Sequence, residues 1–161
     1  MLIDDFRTDF ARYKQMGEQA MAQMTDDALN VVPPPDGNSV AMIVRHISGN
    51  LVSRFTDFLT TDGEKPNRHR DDEFETQKYT RAQVEEIWER GWRVVLQTLS
   101  ELDDSTLQRT VSIRQEQMTV HRALTRSLAH IAYHVGQIVL LGKTAAGDAW
   151  KTLSIPKRKH A

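Results

Sequence analysis

The sequence contains no cysteine. This excludes disulfides, thiolate nucleophiles and cysteine-based zinc sites together. Any metal must therefore be held by His, Asp or Glu, and any thiol chemistry needs a thiol from outside the chain. Excess charge of either sign is also missing: 21 Lys and Arg stand against 22 Asp and Glu, a formal net charge of −1. That balance speaks against a protein built to coat nucleic acid or an anionic membrane. No apolar run approaches the ~20 residues of a membrane span. The opening Met1-Leu2-Ile3-Asp4-Asp5-Phe6-Arg7 does not read as a signal peptide, so the cytoplasm is the expected location. What is present is an ordinary globular composition, 39% hydrophobic and 27% charged. Residues 1–161 read as one domain with room for a real core.

Apolar residues recur at spacings of three and four in four long stretches, the mark of amphipathic helices. The first covers residues 2–24 with Ile3, Phe6, Phe10, Tyr13, Met16, Ala20 and Met24. After a turn opened by Thr25 and the loop Pro33-Pro34-Pro35-Asp36-Gly37, Asn38 or Ser39 caps a second helix, expected to run to about Thr61 and to end at Asp62-Gly63. Residues 62–79 form a long polar connection, of the kind that is often functional or mobile. Thr80-Arg81-Ala82-Gln83 is a capping-box pattern opening a third helix, with Trp88 and Trp92 on its core face. A weak alternation around Thr110–Arg114 and Gln117–Val120 suggests a small hairpin. The last helix is expected from near Thr119 to Lys143, with Gly142 and Gly147 at its end. The two halves share a faint repeat: long helix, Asp-Asp turn, loop, then a long helix carrying histidine. The fold class is all-α, a four-helix bundle with long crossover loops.

His130 and His134 are four apart on the last helix and so share one face, the spacing at which two imidazoles can hold one metal ion. They lie on the edge of that helix's apolar stripe, as His46 and Asn50 do on the second helix, and such edges converge on a cleft between helices. Three imidazoles without cysteine suit Zn²⁺, Ni²⁺ or another borderline divalent ion, and three protein ligands leave coordination positions open, as catalytic sites do. The same histidines could equally be hydrogen-bonded helix residues with no metal. Asn50 and Gln137 are candidates for orienting a ligand or substrate, and also read as packing polars. Tyr133 is a candidate proton donor or a packing tyrosine. No carboxylate joins the triad in sequence. His69, His121 and His160 read as solvated.

The ordered set Asn38-Ser39, Ile43-Val44-Arg45-His46-Ile47-Ser48-Gly49-Asn50-Leu51, Arg54-Phe55, Arg70-Asp71-Asp72-Glu73-Phe74 and His130-Ile131-Ala132-Tyr133-His134-Val135-Gly136-Gln137-Ile138 resembles the DinB-like superfamily, which includes the YfiT-type metal-dependent hydrolases. The closing Lys151-Thr152-Leu153-Ser154-Ile155-Pro156-Lys157 resembles one branch of it. The resemblance spans nearly the whole chain. It implies a four-helix bundle, often a homodimer, and a divalent metal held by one histidine of the second helix and two of the fourth. By position these are His46, His130 and His134. Relatives in that superfamily include transferases and isomerases that use low-molecular-weight thiols.

Two classes of function follow. One is a metal-dependent enzyme, either hydrolase or thiol transferase, acting on a small molecule and using neither nucleic acid nor membrane as a partner. The other is a non-catalytic, stress-related binding or assembly protein whose metal site is structural or vestigial.

Overall fold

The four stretches of helical spacing all form helices in the computed structural model, which describes residues 1–156. They are α1 (Leu2–Met21), α2 (Val40–Phe55), α3 (Arg81–Glu101) and α4 (Val120–Ala146). Three of the four starts are fixed by side-chain caps. Ser39 accepts from the Met42 amide, Thr119 from the Arg122 amide, and Thr80 shares a full capping box with Gln83. The stop of α4 is Gly147, whose φ of +53° suits a residue without Cβ.

Helix α2 packs on α3 and α1 on α4, while α1 also meets α3 and α2 meets α4, which closes the bundle. The apolar stripes meet in one core, where Phe10, Trp88, Trp92, Leu51, Ile131 and Ile138 are fully buried. Glycine sets one of the closest approaches. A Cβ on Gly91 of α3 would lie 2.6 Å from Ser48 Cα of α2, so only glycine lets these two backbones come together.

Several boundaries differ from the sequence reading. α1 ends at Met21, before Met24, and α2 ends at Phe55, short of Thr61. Thr56 turns to an extended conformation and Asp57 takes a φ of +49°, so the helical ladder cannot continue. The stripe misled because Phe58, though outside the helix, is still buried. Gly142 is not a helix stop. It sits inside α4, where a Cβ would lie 3.2 Å from both the Ala20 carbonyl oxygen and the Trp150 ring.

The hairpin lies between α3 and α4. β1 (Thr110–Ile113) pairs antiparallel with β2 (Glu116–Thr119), with Thr110 opposite Thr119 and Ile113 opposite Glu116. Its two turn residues, Arg114 and Gln115, both have positive φ, as a tight primed turn requires. Asp62 holds this turn from outside: its carboxylate accepts from the Arg114 and Gln115 amides, both at 2.8 Å, and from the Ser112 hydroxyl at 2.6 Å. The 62–79 connection also carries a short 3₁₀ turn, Asp71–Phe74, packed on α2. Arg45 pins it by donating to the Asp72 and Glu75 carbonyls. No helix of the described residues is long and apolar enough to cross a membrane.

Candidate metal centre

His46 projects from the middle of α2, and His130 and His134 from successive turns of α4. His46 and His134 are buried and His130 is half-buried. The three rings meet through their Nε2 atoms: His130 Nε2 lies 3.1 Å from Nε2 of His46 and 3.1 Å from Nε2 of His134. One ligand atom from each residue falls within 4.8 Å of the others, close enough to hold a metal ion.

Each outer histidine is oriented from behind. His46 Nδ1 lies 2.8 Å from Glu73 Oε2, and His134 Nδ1 lies 2.8 Å from Gln137 Oε1. Both partners accept, so both rings donate from Nδ1 and present Nε2 to the centre. Glu73 is itself held by a guanidinium fork. Arg68 Nε donates to its Oε1 at 2.8 Å and Arg68 Nη2 to its Oε2 at 2.9 Å. Burial pushes the Glu73 carboxyl up, but the hydrogen bonds from His46 and Arg68 outweigh it and hold the group below the usual carboxylate range.

The inner ring is short of partners. His130 Nδ1 is buried with no hydrogen-bond partner among the described residues. Burial, and then the neighbouring His134 and His46, push the His130 imidazole down to about 3. Burial lowers His134 too, with His46 adding to the effect and Gln137 opposing it. Three Nε2 atoms therefore converge, and a hydrogen on His130 Nε2 could serve only one of its two neighbours. A tetrahedral ion at ~2.0–2.1 Å from imidazole nitrogens separates them by about 3.3 Å, near the 3.1 Å of the two contacts that His130 Nε2 makes. The donor set fits a borderline divalent cation.

The remaining sequence candidates fall into place around this centre. Gln137 holds His134, and its Nε2 is 3.4 Å from the Tyr133 hydroxyl. Tyr133 is 62% exposed, so it is not a core-packing residue, and its ring stands edge-on to His134 with centroids 4.6 Å apart. Asn50 lines a cavity of about 230 Å³ that opens beside His46 and His130. His69 and His121 are exposed, and His160 lies outside the described residues. Glu73 and Arg68 were missed by the spacing argument, which found no carboxylate with the triad. The one local signal is Phe74, an aromatic in a polar stretch, which anchors the turn against the His46 ring at 4.8 Å.

Residues 1–159 match the model of a family described as "Protein of unknown function (DUF1572)". No curated protein and no solved structure matches the chain.

Proposed function

The chain belongs to the DUF1572 family, and from that premise we propose that it is a DinB-like, metal-dependent enzyme acting on a small molecule, with one divalent ion, Zn²⁺ or Ni²⁺, held by His46, His130 and His134. The observation that carries this reading is the convergence of three Nε2 atoms, with His130 Nε2 3.1 Å from each of the other two and those two turned inward by Glu73 and Gln137. A divalent ion with three imidazole ligands keeps coordination positions open and supplies Lewis-acid activation of water for hydrolysis or of a thiolate for S-transfer. With no cysteine in the chain, the thiol would be a low-molecular-weight cosubstrate.

The chain's own residues do the positioning. Glu73, clamped by Arg68, fixes the tautomer and tilt of His46, and Gln137 does the same for His134. The cavity beside His46 and His130 offers substrate a place next to the ligands. A single domain and a homodimer are part of the same reading, the latter tested by sedimentation velocity.

The test is titration of chelator-treated protein with Zn²⁺ and with Ni²⁺, followed by thermal melts, beside His134→Ala. The expected result is uptake of one ion with a raised Tm in the native chain and loss of both in the variant. Removal of the ion by chelator should leave the helical circular dichroism intact. Unfolding on chelation would instead assign the metal a structural role, in keeping with a non-catalytic binding or assembly protein. Dependence of turnover on added thiol then separates S-transfer from hydrolysis.

A further inference from the structure

The cavity beside the histidines has a lining that the metal site does not explain. Five arginines contribute to it, Arg54, Arg68, Arg70, Arg114 and Arg126, and no carboxylate of the described residues does. Their counter-charges sit behind or outside. Glu64 is shared, its Oε2 accepting from Arg54 Nη2 at 3.0 Å and from Arg114 Nε at 2.8 Å, one carboxylate for two guanidiniums. Arg68 is committed to Glu73. Among the described residues, Arg126 pairs with the exposed Glu116 at 3.7 Å and Arg70 with the exposed Asp71 at 3.2 Å, contacts that water weakens. Burial, with Arg68 and Arg114 contributing, also holds the Arg54 guanidinium below its ordinary value, as expected where positive charge is crowded.

A second observation is independent of charge. Ser127, one turn before His130 on α4, is only 7% exposed, and its Oγ has no hydrogen-bond partner among the described residues. It too lines the cavity. A buried hydroxyl without a partner is costly unless something arrives to accept its proton. Phe55, Phe58 and Ile113 add apolar surface to the same lining.

We propose that this cavity binds a small anionic substrate, an apolar body bearing a carboxylate or phosphate, with the anion held by Arg54, Arg114, Arg126 and the Ser127 hydroxyl and the far end presented to the histidine triad. The volume, about 230 Å³, lies just below the ~300–1,000 Å³ of sites for drug-sized ligands and suits a compact acid. Guanidiniums pair with both carboxylate and phosphate through two parallel N–H donors, so the shared chemistry is the oxyanion. The inference rests on the enzyme reading for the substrate's role, but the oxyanion site stands on residues that are not metal ligands.

The test uses the whole chain, metal-free and Zn²⁺-loaded, titrated calorimetrically with benzoate, phenyl phosphate and neutral benzamide. Benzoate or phenyl phosphate should bind the metal-free chain, with benzamide at least tenfold weaker. Arg126→Gln combined with Arg114→Gln should weaken the bound anion tenfold or more, and Arg126→Lys should restore part of the loss. Ser127→Ala should weaken it several-fold with no fall in Tm, the readout that separates ligand binding from a packing role. Neither anion binding, or binding that needs Zn²⁺ and ignores the arginine variants, would overturn the proposal. Anion binding to a chain that takes up no metal would uphold the oxyanion site and remove the metal reading instead.

Discussion

Glu73 Oε2 lies 2.8 Å from His46 Nδ1 although the two residues are 27 positions apart and only His46 is in one of the four bundle helices. The 62–79 connection is therefore part of the candidate metal centre, since it brings a buried carboxylate that orients an inward-facing histidine. Removing that carboxylate should loosen the ligand without removing it. Glu73→Gln is expected to lower Zn²⁺ affinity by about 10–100-fold, the usual effect of losing a partner behind a ligating histidine, with helical content unchanged. Competition with a chromogenic chelator measures it; an unchanged affinity would mean that Glu73 serves only the loop.

Gly49 offers a way to reach the same group from the helix side. A Cβ there would overlap Glu73 Oε1, with the Glu73 carboxyl carbon 2.9 Å away. Gly49→Ala gains helix propensity yet evicts Glu73 from its place between His46 and Arg68. It should lose metal affinity in step with Glu73→Gln and, unlike most glycine replacements inside a helix, should lower Tm as well. A variant that melts higher and binds Zn²⁺ normally would contradict the packing described here.

Where α2 meets α3, Gly91→Ala tests the bundle itself. The added methyl would press on the Ser48 backbone at 2.6 Å, and backbone cannot swing aside as a flexible side chain can. The expected destabilisation is about 1–3 kcal/mol, typical of overpacking a filled core. Chemical denaturation reports it as a lower midpoint at constant slope.

Asp62 contributes to stability on the acid side. Hydrogen bonds from the Ser112 hydroxyl and then from the Glu64 and Gln115 amides hold its carboxyl well below the ordinary value. A carboxyl depressed in the folded state favours folding fully above its unfolded pKa of about 3.9, and that contribution is lost as pH falls through the folded value. Asp62→Asn should therefore show a smaller fall in Tm than the native chain between pH 5 and pH 2, relative to each one's value at pH 7. Parallel curves for the two proteins would show that Asp62 does not tie the hairpin.

The helices were legible because burial in a bundle writes itself into the chain at spacings of three and four, and the caps at Ser39, Thr80 and Thr119 mark starts with a specific side-chain chemistry. His130 and His134 were legible as a pair for the same geometric reason, and His46 through its place at a stripe edge. The rest had no period to reveal it. The end of α2 was hidden because Phe58 stays buried after the backbone has turned at Asp57. Gly142 read as a stop, yet it lies inside α4, where the Ala20 carbonyl of another helix and the Trp150 ring leave little room for a Cβ. Glu73 and Arg68 reach the site from an irregular segment, where neither spacing nor polarity distinguishes an acid turned inward from one left in water. The same holds for the arginine lining of the cavity, which is drawn from α2, the 62–79 connection, the hairpin turn and α4.

The convergence of His46, His130 and His134 is tested most directly by the metal content of untagged protein, measured by elemental mass spectrometry beside the His46→Ala/His130→Ala/His134→Ala triple variant. Close to one divalent ion per native chain and none in a folded triple variant is the expected result. A native chain that carries no ion and takes up neither added Zn²⁺ nor added Ni²⁺ would contradict the metal centre and leave three histidines bonded only to one another and to Glu73 and Gln137.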